Sequence, residues 1–170
     1  MSRIRDWRGW LLALSALIIA LDRITKLWVT NHIAEGNDIV IIPRVFAISH
    51  VMNPGAAFSI FSDSSSPERT RWMLIAFSII AALVVFAILM RVGRQLTLTG
   101  VSMALVLGGA IGNVWDRIAY GTVVDFLEVH IVRYHWPDFN VADSAIVIGG
   151  ILLLIDSLRP HKEAAAVPEP

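Results

Sequence analysis

Long uncharged runs alternate with short polar stretches along this chain. Apolar residues fill positions 9–21, 72–90, 96–115 and most of 139–158 with little of the polar face that a soluble amphipathic helix shows. As a helix, 72–90 would be about 28 Å long, matching a bilayer core. Arg3, Arg5 and Arg8 precede the first run, an arrangement that secretory leaders share. No small-x-small cleavage site follows, however, and Asp22-Arg23-Ile24-Thr25-Lys26 carries the helical pattern on into Leu27, Trp28 and Val29. The pattern predicts spans over residues 8–29, 72–90, 96–116 and 139–158.

Between the first two runs the pattern changes. Glu35-Gly36-Asn37-Asp38 is turn chemistry, and β-branched stretches at 39–42 and 45–51 flank Pro43. Asn53-Pro54-Gly55 makes a further turn, and Ser64-Ser65-Ser66-Pro67-Glu68 reads as a capped helix start. Residues 31–70 are therefore expected to form a small extracytoplasmic β-rich segment of two or three strands. Residues 118–138 read as a polar, aromatic-rich connection between the last two spans. The Ala/Pro/Glu tail at 161–170 is expected to be disordered. The fold class is mainly α and integral to the membrane, in a single domain over residues 1–170 with four transmembrane helices. Gly108 and Gly112, four apart in the third run, offer a face on which another helix can approach closely.

Composition sharpens this reading. The chain is 56% hydrophobic and 16% charged, with a mean hydropathy of +0.66. Fourteen basic residues balance fourteen acidic ones, so net charge argues for no nucleic-acid partner. The absence of cysteine excludes disulfides, thiolate metal sites, a cysteine nucleophile and cysteine lipidation. With four spans, Arg3, Arg5, Arg8, Arg91, Arg94, Arg159 and Lys162 fall on one side. The positive-inside rule puts that side, and both termini, in the cytoplasm. Trp28, Trp72, Trp115 and Trp136 then lie near the outer interface, as an aromatic belt does.

The same topology gathers polar groups at one depth: Asp22 and Lys26 from the first span, Asn113, Asp116 and Arg117 from the third, Asn140 and Asp143 from the fourth. Each charge costs roughly 2.5–3.5 kcal/mol to insert at mid-membrane, so such groups mark partners or function. Asp22 and Lys26 are spaced to pair along one helix face. Asp116 and Arg117 offer a second pair, and for both pairs structural support is the simpler role. Asp125 has no local cation in Val123-Val124-Asp125-Phe126-Leu127, and Asp143 stands one turn inside the last span. Two desolvated carboxylates brought together share a proton, as an aspartic protease requires. Spacing alone leaves open whether Asp125 and Asp143 are that dyad or separate structural aspartates. Asn140 is placed to orient Asp143. His130, His135 and Asp138 in the outer connection could reach a divalent ion, but the five-residue separation is not a helical ligand pair, solvated loop histidines are common, and no metal is expected. No serine-nucleophile signature is present.

With these motifs in place, the sequence resembles the bacterial lipoprotein signal peptidases (signal peptidase II), four-span aspartic proteases. The motifs are 22–26 (DRITK), 53–58 (NPGAAF), 108–117 (GGAIGNVWDR), 123–126 (VVDF) and 139–143 (FNVAD), in that order. The resemblance implies endoproteolysis on the N-terminal side of a diacylglyceryl-modified cysteine, releasing the signal peptide of a prolipoprotein. It implies Asp125 and Asp143 as the catalytic pair. Asn53, Gly55, Asn113, Arg117 and Asn140 would support or contact substrate, with Asp22, Lys26 and Asp116 structural. It also implies that the extracytoplasmic strands form a cradle on the outer leaflet of the cytoplasmic (inner) membrane, with no cofactor. Prolipoprotein substrates and membrane lipids are the expected partners, and a monomer is expected. Two other classes fit the composition. A proton-coupled transporter would place such acids at the midplane and often shows inverted repeats, and no repeat is visible here. A non-enzymatic scaffold would tolerate Asp143→Asn.

Overall fold

The computed structural model describes residues 6–55, 67–132 and 134–159. The serine cap and the Ala56-Ala57-Phe58 end of the second motif lie outside them, as do the tail and Arg3, Arg5, Arg133 and Lys162. Among the described residues, four helices occur: α1 (Arg8–His32), α2 (Pro67–Val92), α3 (Leu98–Ala119) and α4 (Val141–Ser157). Two of them, over Glu68–Val92 and Leu98–Ala119, are long and apolar enough to cross a membrane. α2 packs one side against α3 and exposes apolar residues over the rest of its surface, Phe77, Ile80 and Leu83 among them. A helix of that kind is stable only against lipid or other apolar surfaces. α1 carries Asp22, Arg23 and Lys26 in its second half, and α4 spans only about 26 Å.

α3 packs against α1, α2 and α4. Its glycines explain how two neighbours come so near. A Cβ on Gly108 would lie 2.8 Å from the Ser15 carbonyl of α1, and one on Gly109 would overlap the Ala142 carbonyl of α4. Leu11, Leu89, Met103, Ala104 and Leu107 form the buried cluster joining α1, α2 and α3. The Ser15 hydroxyl donates to the Ala104 carbonyl at 2.8 Å, so this polar group is not left unsatisfied in the core. At the opposite end of the bundle from the sheet, Thr99 donates to Asp156.

The strands form one antiparallel sheet ordered β1 (Asp38–Ile42), β2 (Phe46–Asn53), β3 (Val123–Ile131), β4 (Tyr134–Phe139). Half of this sheet, β3 and most of β4, lies in the stretch read from sequence as a polar, aromatic-rich connection, to which the pattern assigns no strand. Val123–Ile131 lacks a clean alternation because its first four residues are all buried. Val124 and Phe126 pack on Val29 of α1 and on Ile33 just after its end, while Asp125 interrupts the apolar run on the other face. Phe139, expected within the last span, ends β4 instead. Pro137 is tolerated because β4 is an edge strand. β2 and β3 pair although α2 and α3 separate them in sequence, with Asn53 opposite Val123 and Val51 opposite Asp125. That register sets an end of the second motif against the fourth.

Candidate active site

The site forms where the end of β2, the start of β3, the second half of α3 and the first turn of α4 meet. α4 begins with a reciprocal cap. Asn140 Oδ1 accepts from the Asp143 amide at 2.9 Å, and Asp143 Oδ2 accepts from the Asn140 amide at 3.2 Å. Such a capping box satisfies donors that a helix start otherwise leaves open. Here it also fixes the Asp143 carboxylate. The third amide of this turn, on Ala142, donates at 3.0 Å to Asp22 Oδ1 of α1. Asp22 thus caps a helix to which it is not connected in sequence.

Asn140 is fully buried and links the two carboxylates. Its Nδ2 donates to Asp125 Oδ1 at 2.7 Å while its backbone and Oδ1 hold Asp143. Asp125 Oδ2 accepts from Asn53 Nδ2 at 2.8 Å. Asp143 Oδ1 accepts from Asn113 Nδ2 at 2.7 Å. Asp125 is 2% exposed, and burial, then the negative charge of Asp143, pushes its carboxyl up to about 7. Two side-chain amide donors on the same carboxyl oppose that rise without cancelling it.

Behind the carboxylates lies a buried ion cluster. Lys26 Nζ contacts Asp22 Oδ2 at 2.8 Å, Asp116 Oδ2 at 2.7 Å and Asn113 Oδ1 at 3.1 Å. The ammonium donates a hydrogen bond to Asn113 and forms ion pairs with both carboxylates. Because Lys26 occupies the Asn113 carbonyl oxygen, the amide nitrogen of Asn113 must face Asp143. The cation therefore orients the site through one asparagine. Gly112 is required beside it, since a Cβ there would meet Asp22 Oδ2 at 2.8 Å.

Asp22 and Lys26 pair as their spacing suggests, but Asp116 and Arg117 do not. Successive residues on a helix point apart, and Asp116 turns to α1, where Lys26 and Arg23 hold it. Arg117 turns to the Asn53–Gly55 bend and donates to the Gly55 carbonyl at 3.0 Å. The Gly55 amide closes the bend by donating to Asn53 Oδ1 at 2.9 Å. Two contributors escaped the sequence reading. Arg23 pairs with Asp116 and donates to the Tyr120 hydroxyl at 3.1 Å. Arg71 of α2 donates to the Arg117 and Ile118 carbonyls, both at 2.9 Å, closing the end of α3. Arg23 stands inside the first motif, which was its available signal; Arg71 had none.

Asn53, Asn113, Arg117, Asp125 and Asp143 share a cavity of about 440 Å³ with Phe139 and with Ile146, Val147 and Ile148 of α4. Its floor is polar and its α4 wall is apolar, with Val147 and Ile148 exposed beyond it. Such a cavity can hold an extended peptide segment at two carboxyl groups with an apolar continuation alongside. His130, His135 and Glu128 cluster elsewhere, on the β3–β4 hairpin.

Comparison with known proteins gives a consistent picture. The family described as "Signal peptidase (SPase) II" matches residues 14–159. A lipoprotein signal peptidase of Pseudomonas fluorescens is 43% identical over 160 residues, covering 94% of this chain and 92% of that one. One from Solibacter usitatus is 44% identical over 161 residues, covering 95% and 96%. A bacterial membrane enzyme solved by the in meso method at 2.3 Å resolution superposes with a TM-score of 0.74 at 26% identity, covering 96% and 98% of the two chains.

Proposed function

This chain belongs to the signal peptidase II family, and we propose that it performs the family's proteolysis with Asp125 and Asp143 as an aspartic dyad. It is a lipoprotein signal peptidase, a protease of the membrane. The substrates implied are prolipoproteins, cut on the N-terminal side of a diacylglyceryl-modified cysteine. The observation that carries the dyad is Asn140, one buried residue whose side-chain amide donates to the Asp125 carboxyl and whose backbone amide donates to the Asp143 carboxylate, at the floor of a cavity.

Asp125 carries the proton, as its burial beside Asp143 favours. The Asn113 amide, the Asn140 N–H and the start of α4 all face the Asp143 carboxylate. Asp143 takes a proton from water as its oxygen attacks the scissile carbonyl, while the Asp125 hydroxyl donates to the developing oxyanion. On collapse, the leaving amine takes a proton from the dyad and the signal peptide leaves as a carboxylate. Arg117 and Asn53 flank the cavity with N–H groups for peptide carbonyls. The apolar α4 wall lets a hydrophobic segment stay at the lipid side while the scissile bond meets water.

The site faces the extracytoplasmic side of the inner membrane in this reading, with both termini cytoplasmic and all four helices spanning. The basic residues at one end of the helices support it. Incubation of the purified enzyme with a diacylglyceryl-modified prolipoprotein, followed by mass spectrometry, tests the activity. A cut immediately before the modified cysteine is expected. No cut by folded enzyme would refute the peptidase reading.

A further inference from the structure

A second group of ionisable side chains lies outside the dyad, on the solvent-facing hairpin of β3 and β4. His130 and His135 are directly opposite in the strand register, so their rings share a sheet face with centroids 4.9 Å apart. Glu128 stands two residues before His130, which returns it to the same face. One ligand atom each from Glu128, His130 and His135 lies within 4.8 Å of the others. Asp138 adds a second carboxylate, its Oδ1 3.6 Å from His135 Nε2.

An isolated His–Glu contact is an ordinary ion pair, and His130 with Glu128 at 2.7 Å would be one. Two further observations exceed it. His135 Nε2 is also 3.6 Å from Glu128 Oε1, so the same carboxylate oxygen faces both imidazoles. Asp138 Oδ1 is buried and, among the described residues, its nearest cationic partner is that same His135 nitrogen rather than a closer hydrogen-bond donor. Ligand bonds of about 2.0–2.1 Å in a tetrahedral site put ligand atoms about 3.3 Å apart. The observed 3.6 Å separations need only slight contraction. The 2.7 Å contact opens when an ion replaces the proton between His130 and Glu128.

We propose that the β3–β4 hairpin binds a divalent transition-metal ion of the zinc type through Glu128, His130 and His135, with Asp138 completing the set. Two imidazoles and two carboxylates with no thiolate suit zinc and its neighbours better than calcium or magnesium. The ion has no part in the peptide chemistry. It ties β3 to β4, and β4 runs directly into Asn140, so occupancy stiffens the approach to the dyad. The three ligands Glu128, His130 and His135 lie apart from the dyad, while Asp138 also lines its cavity.

The test uses untagged protein in detergent, stripped with chelator and titrated calorimetrically with zinc chloride, with cobalt chloride as a spectroscopic probe. Wild type should take up one equivalent, show the visible bands of tetrahedral cobalt and melt at higher temperature with zinc. His135→Gln and Glu128→Gln should melt like metal-free wild type yet bind more weakly by upwards of about 10–100-fold, the loss that removing even an outer-shell partner of a metal ligand brings. His32→Gln, changing an exposed histidine on α1, should bind as wild type does. No saturable uptake by wild type, or uptake unchanged in His135→Gln, would overturn the site.

Discussion

Lys26→Met removes the cation on which the buried end of the bundle converges. Lys26 is 1% exposed, and Asp22 and Asp116 are fully buried against it. Methionine fills the volume but, among the described residues, leaves Asp22 with no paired cation and Asp116 with Arg23 alone. Removing one partner of a buried pair costs about 3–5 kcal/mol, most of it from the charge left behind. For a chain of this length that is roughly 6–20 °C in melting temperature. The distinguishing experiment is a double-mutant cycle with Asp22→Asn, followed by thermal unfolding in detergent. Asparagine keeps the oxygen that accepts from the Ala142 amide while removing the stranded charge. Lys26→Met/Asp22→Asn should therefore be more stable than Lys26→Met alone. Additive losses, or a Lys26→Met protein that melts like wild type, would refute the ion cluster as described.

Three further outcomes follow from the geometry. Gly109→Ala should lose both stability and turnover, because its Cβ would meet the Ala142 backbone beside Asp143; Gly150→Ala, with open space around it, should be tolerated in the same melting and cleavage assays. Folded Asp125 holds its proton to about pH 7 against an ordinary value of 3.8, so it stabilises the fold most fully below pH 3.8 and that contribution fades as pH rises through 7. Melting temperature measured from pH 4 to 7 should accordingly fall less steeply in Asp125→Asn than in wild type, and wild-type kcat/KM should drop above about pH 7. Cleavage should survive chelation, since the dyad uses no metal; abolished turnover restored by zinc would contradict that.

Much of the helical framework was legible because lipid-facing helices need uninterrupted apolar runs, and 72–90 and 96–115 are such runs. The sheet was legible only where turn residues punctuate it. Glu35-Gly36-Asn37-Asp38 announces β1, and Gly36 adopts the positive φ that its turn needs. β3 hid because its inner half packs on α1 as well as lining the site, which erases the alternation that marks a strand. Ion pairing was harder still. Asp22 and Lys26 could be paired from helical spacing, whereas the partners of Asp116 depend on how closely α1 approaches α3. The glycines state that approach is close without saying which charges meet. Arg117 was assigned to its sequence neighbour for the same reason, and the bend at Gly55 could not be seen to lie within its reach.

The central claim is that Asp125 and Asp143 act together on the scissile bond. It is tested most directly by a gel-shift cleavage assay of a diacylglyceryl-modified prolipoprotein with wild type, Asp125→Asn and Asp143→Asn side by side. Each asparagine keeps the shape of the side chain and removes the acid. The account predicts cleavage by wild type and none by either variant, with both variants folded. Full turnover by either folded variant would contradict it.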